Sequence, residues 1–303
     1  MRPQYFYSHG KLLLTGEYLI LDGAWGLALP TSKGQVLRVS PSEAYTKLYW
    51  KSLDETSQIW FEASFELPSL RIHHHTGEKV ALLLKKLLQN AQRLQVDFLQ
   101  KPSGISVETQ LEFPRNWGLG SSSTLIYNIA QWAGVDPYTL LWSSLPGSGY
   151  DIACAIHHRP ILYRLKNQKP QVVPIAPPPL FKEVVYFLHL NRKQNSRKAI
   201  QTYRTKDIAN ESFELISSIT QKVLYCTTLD DFENLLSYHE QILSTLLGTP
   251  SIKEQYFSDY PGVIKSLGAW GGDFALVGVR EGMRDYFSQK GFHTMVPFNE
   301  MML

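Results

Sequence analysis

The spacing of apolar residues changes period along the chain, and each change predicts an element. Val80, Leu83, Leu84, Leu87, Leu88, Ala91 and Leu94 recur on one helical face, which predicts a helix over residues 78–95. Residues 105–111 (Ile-Ser-Val-Glu-Thr-Gln-Leu) alternate apolar and polar, as a half-buried strand does. Leu125, Ile126, Ile129, Ala130 and Ala133 then return to helical spacing. The order is strand, glycine loop, helix. Upstream, residues 5–21 hold short apolar runs bounded by glycine, which predict strands, and residues 33–66 alternate as antiparallel strands do. Downstream, residues 160–165, 171–175 and 184–190 read as strands. Helical spacing covers about 207–226 and 229–247, and a helix near 281–290 and a strand near 292–296 close the chain.

The loop between strand and helix is where chemistry concentrates. Residues 114–125 read Pro-Arg-Asn-Trp-Gly-Leu-Gly-Ser-Ser-Ser-Thr-Leu. Gly118 and Gly120 free the backbone to turn tightly or approach a ligand, and four hydroxyls, on Ser121, Ser122, Ser123 and Thr124, stand where the helix begins. Free N–H groups at a helix start, with hydroxyls beside them, suit a nucleotide phosphate. A serine-rich cap needs no ligand, however, and the spacing fits neither a Walker loop nor the dinucleotide fingerprint. In residues 5–21, Lys11 and Glu17 interrupt apolar runs; a charge there is normally paired or functional, or, for a lone lysine, turned to solvent. Asp151 follows Gly147-Ser148-Gly149 and precedes small and apolar residues, which suits either a helix N-cap or a general base. Residues 191–198 are polar and basic, either a solvated loop or a clamp for an anion.

Composition narrows the classes. The chain has 303 residues, 44% hydrophobic and 19% charged, enough for two domains with real cores. A net charge of +3 without a long basic run argues against a nucleic-acid partner. No run is long enough for a membrane span and none reads as a signal peptide, so a soluble cytoplasmic protein is the expectation. The two cysteines, Cys154 and Cys226, build neither a disulfide framework nor a zinc site. His73, His74 and His75 cannot all face one metal, so the tract is expected to be a solvated loop or helix start. The proline-rich stretch 174–179 places a domain boundary between 1–175 and 176–303.

Four motifs stand in a particular order: Gly-Lys-Leu-Leu-Leu-Thr-Gly-Glu-Tyr (10–18), Pro-x-x-x-Gly-Leu-Gly-Ser-Ser-Ser (114–123), Gly-Ser-Gly-Tyr-Asp (147–151) and Gly-Ala-Trp-Gly-Gly-Asp-Phe-Ala-Leu (268–276). With them the whole chain resembles the GHMP kinases, most closely the mevalonate and phosphomevalonate kinase branch, in a subgroup marked by Gly-Tyr-Asp-Ile-Ala. The resemblance implies an α+β fold of two domains, an N-terminal ribosomal-protein-S5-like α/β domain and a C-terminal ferredoxin-like domain. It implies ATP and Mg²⁺ as cofactors and a small-molecule acceptor as partner, and it allows a homodimer. Pro114, Gly118, Leu119, Gly120, Ser121, Ser122 and Ser123 fall on the phosphate loop, Ser122 on the serine that helps hold the metal, Asp151 on the catalytic aspartate and Lys11 on its partner lysine. Glu17, Tyr18, Ser148, Gly149, Ser196, Arg197, Gly271 and Gly272 fall with the substrate. Such a lysine would keep the aspartate ionised and stabilise charge in phosphoryl transfer.

Two departures bear on this expectation. Mevalonate kinases carry a metal-binding glutamate about a dozen residues before the aspartate; residues 138–144 hold no carboxylate here, as in the phosphomevalonate branch. The last motif is usually Gly-Ala-Gly-x-Gly-Gly, and here Trp270 and Asp273 intrude. Alternative expectations are a kinase of another small alcohol or sugar, a degenerate nucleotide-binding protein and, less favoured, a decarboxylase relative.

Overall fold

The computed structural model describes residues 2–43, 46–101, 103–176, 184–192, 196–268 and 270–303, with the backbone alone for 196–198. The chain forms two compact units, one of residues 1–10, 33–115 and 120–156, the other of residues 11–32, 116–119 and 157–303. Two long strands, β1 (Gln4–Leu13) and β2 (Gly26–Pro41), contribute residues to both. Residues 177–179 of the proline-rich stretch lie outside the described residues.

In the first unit, β2 runs beside β6 (Ile105–Leu111), then β3 (Lys47–Leu53), β4 (Ile59–Glu66) and β5 (Arg71–His75). The pairs are antiparallel except β3 with β6, where Trp50 lies opposite Val107 in parallel register. Strict alternation sends Leu37, Val39, Leu48, Trp50, Phe61, Ala63, Phe65 and Val107 into one core. Four helices supply its other side: α1 (Glu78–Leu94), α2 (Ser121–Ala133), α3 (Pro137–Ser144) and α4 (Tyr150–Ile156). Leu84, Leu87, Leu88 and Ala91 of α1 pack there with Ile126, Ile129 and Ala130 of α2. Each large side chain so buried contributes about 1.5–3 kcal/mol before entropy is counted. The histidine tract corrects the sequence expectation: His73–His75 lie on the edge strand β5, exposed as expected, but paired to β4 in a strand rather than a loop or helix start.

In the second unit the N-terminal part of β2 pairs with β7 (Ile161–Lys166), which turns into β8 (Lys169–Pro174). Asn167 and Gln168 form the two-residue turn, both at positive φ (52° and 57°), the geometry that matches strand twist in a tight hairpin. After β1 the apolar residues 19–21, where the sequence predicts strand, close with Asp22 as a 3₁₀ turn, Leu19–Asp22.

A separate antiparallel sheet of this unit is ordered β10 (Ile264–Ser266), β11 (Phe274–Gly278), β9 (Val185–His189), β12 (Met295–Pro297). Between β9 and β10 come α5 (Ser196–Tyr203), α6 (Asn210–Leu224), α7 (Leu229–Leu247) and α8 (Ile252–Tyr256). Then α9 (Met283–Gln289) joins β11 to β12, and α10 (Phe298–Met301) follows. Counted from β9, the strands lie in the order second, third, first, fourth, with helical crossovers before the second and the fourth. That is the ferredoxin-like topology that the resemblance implied.

Candidate active site

The glycine loop ends where α2 begins. Gly118 (φ 66°) and Gly120 (φ 89°) both take left-handed conformations that a side chain would strain. Gly120 is the N-cap and brings no side chain to the first turn; its carbonyl accepts from the N–H of Ser123 (2.9 Å) and Thr124 (3.0 Å). The four hydroxyls divide into two groups. Ser123 and Thr124 are buried, and Thr124 Oγ1 donates to Gln35 Oε1 at 2.7 Å. Ser122 is exposed and Ser121 half-buried. A further polar chain locks α2 onto the strands: Ser8 Oγ donates to Asn128 Oδ1 (2.6 Å), and Asn128 Nδ2 donates to the Gln35 carbonyl (2.9 Å). Pro114 and Leu119 frame the loop, half-buried and buried respectively.

Asp151 lies one residue inside α4 rather than at its cap, with Oδ1 accepting from the N–H of Ile152 at 3.2 Å. Its other oxygen accepts a short hydrogen bond from Ser123 Oγ. The structure thus joins two residues singled out from sequence, one expected in a phosphate loop and one expected to be catalytic. Ser148 and Gly149 (φ 89°) form the buried turn into α4. The Tyr138 phenol of α3 is pushed above its ordinary range by burial, with Cys154 and Asp151 adding to the effect. α3 carries no carboxylate of its own; the nearest, Asp136, caps it by accepting from the N–H (2.7 Å) and Oγ1 (2.6 Å) of Thr139.

Lys11 sits near the end of β1, half-buried. Its Nζ donates to the Gly118 carbonyl at 2.9 Å, and its N–H donates to the Leu119 carbonyl at 3.0 Å. The preceding loop residues are held by the ferredoxin-like sheet: Trp117 packs edge-on against Phe274 (5.3 Å), and the Asn116 carbonyl lies 3.3 Å from His189 Nε2.

Glu17 has no exposed side chain. Its Oε1 accepts from Lys265 Nζ at 2.5 Å, and Oε2 lies 3.5 Å from His239 Nε2, which itself accepts from the Gly16 N–H at 3.0 Å. Burial pushes the Glu17 carboxyl up to about 7 against the pull of Lys265. Burial also raises Glu240, and it holds His239 well below its ordinary value, with the Lys265 charge adding. Tyr18 (φ 65°) is buried and stacks on Tyr203 at 5.5 Å. Lys265, Glu240 and His239 were not singled out from sequence. The signal available was a lysine inside the apolar run around 263–267, which burial makes costly unless paired.

In the last motif Gly271 (φ 92°) and the buried Gly272 stand between Trp270 (φ 25°) and Asp273 (φ 54°), two non-glycine residues in left-handed conformations. Of the basic segment, Arg192 stacks on the Tyr256 ring at 4.5 Å. Residues 193–195 lie outside the described residues, as do the side chains of Ser196 and Arg197, whose backbone opens α5. No group of three metal-ligating side chains (His, Cys, Asp or Glu) gathers among the described residues, and no helix among them is long and apolar enough to cross a membrane.

With this geometry in hand, comparison with known proteins assigns the fold. The structure is similar to the mevalonate kinase of Methanococcus jannaschii (TM-score 0.70, 14% identity, covering 95% of this chain and 94% of that one). It is similar to the phosphomevalonate kinase of Streptococcus pneumoniae in complex with phosphomevalonate and AMPPNP (TM-score 0.70, 15% identity, 97% and 100%). It is also similar to the galactokinase of Lactococcus lactis complexed with galactose (TM-score 0.66, 14% identity, 100% and 94%). The chain therefore has the fold of the GHMP kinases. No protein-family model matches the sequence, and no curated protein matches it.

Proposed function

We propose that this chain is an ATP-dependent kinase that transfers the γ-phosphoryl group to a mevalonate-type acceptor, mevalonate or phosphomevalonate. The observation that carries the reading is the hydrogen bond from Ser123, in the first turn of an α2 without a side-chain cap, to the carboxylate of Asp151. It ties a carboxylate to a turn whose N–H groups and hydroxyls suit phosphate.

The residues fit the nucleotide. Gly118 and Gly120 keep the loop bare, and the exposed hydroxyl of Ser122 is a hard oxygen donor of the kind Mg²⁺ accepts. When bound, Mg²⁺ supplies neutralisation of the phosphate charge. Ser121 and Ser122 orient the phosphates, and Lys11 adds positive charge beside the Gly118 carbonyl. Asp151 aligns the acceptor hydroxyl and accepts its proton late, because phosphoryl transfer needs positioning more than covalent help. Carboxylates are weak bases for alcohols, which fits that late role.

The absence of a carboxylate from α3 favours phosphomevalonate over mevalonate, and together with Trp270 and Asp273 it sustains a second reading, a degenerate nucleotide-binding protein. Incubation with MgATP and, separately, mevalonate, phosphomevalonate, homoserine and galactose tests the proposal. ADP release driven by one of the first two supports it. Turnover of another acceptor corrects the substrate, and MgATP binding without any turnover favours the second reading.

A further inference from the structure

The buried carboxylate of Glu240, on α7, has no place in the chemistry above, yet it is bonded on all sides. Its Oε2 accepts from the N–H (3.0 Å) and Oγ (2.9 Å) of Ser266, the last residue of β10. Its Oε1 accepts from the indole Nε1 of Trp270 at 3.0 Å and lies 3.7 Å from Lys265 Nζ. The residue is 4% exposed, and burying a carboxylate is tolerated only with such partners.

What the carboxylate grips is a backbone that should resist its own shape. Trp270 and Asp273 hold φ of 25° and 54°, in the region that side chains avoid. Such conformations persist only when their surroundings over-determine them. The far end of the loop is pinned as well: the Asp273 N–H donates to the Arg192 carbonyl (2.7 Å), and the Asp273 carbonyl accepts from Leu190 (2.8 Å). Held this way, the Asp273 side chain lies against Gly118, where an added Cβ would stand 2.3 Å from Asp273 Cγ. The Gly118 carbonyl in turn accepts from Lys11 Nζ. The path from Glu240 runs by hydrogen bond to Trp270, along the backbone of residues 271–272 to Asp273, and by contact to Gly118 and its partner Lys11.

We propose that Glu240 and Trp270 are positioning residues: their hydrogen bond fixes residues 270–273, and through Asp273 it fixes the backbone of Gly118 and the Lys11 ammonium bonded to it. The indole replaces the pliability of a glycine loop with one held shape. The inference uses the reading of residues 118–124 as a phosphate loop only for its effect on nucleotide binding.

Amide hydrogen exchange on the full chain tests it, with Trp270→Phe, which keeps a smaller aromatic ring and removes the donor, and Glu240→Gln, whose amide cannot accept from both Ser266 and Trp270. Phe287→Leu, a buried change in the core of the same unit, is the control for general loss of stability. Trp270→Phe should speed exchange in residues 270–274 and also in 116–119, each by about tenfold. Glu240→Gln should do the same, and the double variant should exceed neither single by much. MgATP affinity should weaken by about tenfold in Trp270→Phe. Phe287→Leu, compared at equal loss of Tm, should move neither segment selectively. Unchanged exchange at 116–119 in Trp270→Phe, or the same pattern in Phe287→Leu, overturns the proposal. If Glu240→Gln does not fold, Trp270→Phe decides alone. If the unaltered chain binds no MgATP, the kinase reading falls while the exchange data still judge the positioning.

Discussion

Ser123 Oγ donates to the Asp151 carboxylate, so the first turn of α2 and the first turn of α4 share one hydrogen bond. Asp151 is oriented by the same turn that is proposed to receive phosphate. Asp151→Asn, which keeps size and removes charge, should lower kcat by roughly a hundredfold or more with little change in ATP affinity. Ser123→Ala should cost roughly tenfold, the value of one hydrogen bond to a charged group. Steady-state kinetics with the acceptor identified by the panel above measure both. Full turnover in Asp151→Asn would remove the catalytic assignment.

Lys11 bonds to the carbonyl of Gly118, inside the loop itself. Lys11→Met should lower kcat, and if Lys11 and Asp151 act as a unit, as proposed, the double variant with Asp151→Asn should lose less than the sum of the two. Strict additivity would mean that the two act independently.

Gly120 caps α2 at φ 89°, and Gly118 leaves no room beside Asp273. Gly120→Val should abolish nucleotide binding while far-ultraviolet circular dichroism stays that of the folded chain. A folded variant with unchanged ATP affinity would refute a phosphate role for the loop.

The Glu17–Lys265 pair carries a pH signature. Glu17 is raised from 4.5 to about 7, so the stability it contributes is full below pH 4.5 and is lost as pH rises through 7. His239, lowered, contributes in the opposite sense: its share is present above pH 6.5 and is lost as pH falls. The stability advantage of the unaltered chain over Glu17→Gln should therefore shrink between pH 5 and pH 8, read from urea midpoints. Parallel curves for the two proteins would contradict the raised value. Lys265→Met removes the cation beside two buried carboxyls and should cost roughly 3–5 kcal/mol at neutral pH, and less at pH 5.

Arg197, in the basic segment, is the second residue of α5. If the acceptor is phosphorylated, Arg197→Ala should raise its KM more than that of ATP. Equal effects on both would return the segment to a solvated role.

Local signals made much of this legible in the sequence. The strand at 105–111 and the helix starting at 121 follow from period and glycine placement alone, and the structure reproduces both boundaries. α3 was missed because eight residues with apolar positions on several sides give no clear period, although Asp136-Pro137 is a helix-start signal. The Glu17–Lys265–Glu240 cluster was illegible for a different reason. Its members come from a turn, a strand and a helix up to 248 residues apart, and the apolar runs around Glu17 and Lys265 signal only that each charge needs a partner, not which one. The reshaped last motif was visible as a departure, but the carboxylate that stabilises it was not.

The division of hydroxyls at the head of α2 has a consequence for how this stretch tolerates change. Ser123 and Thr124 are committed to Asp151 and Gln35, whereas Ser122 faces solvent. A saturation library should split accordingly. Replacements at 123 and 124 will surface in any screen for folded protein, whereas those at 122 will pass such a screen silently and be lost only under selection for turnover. Four adjacent hydroxyls that look interchangeable in the sequence answer to different pressures.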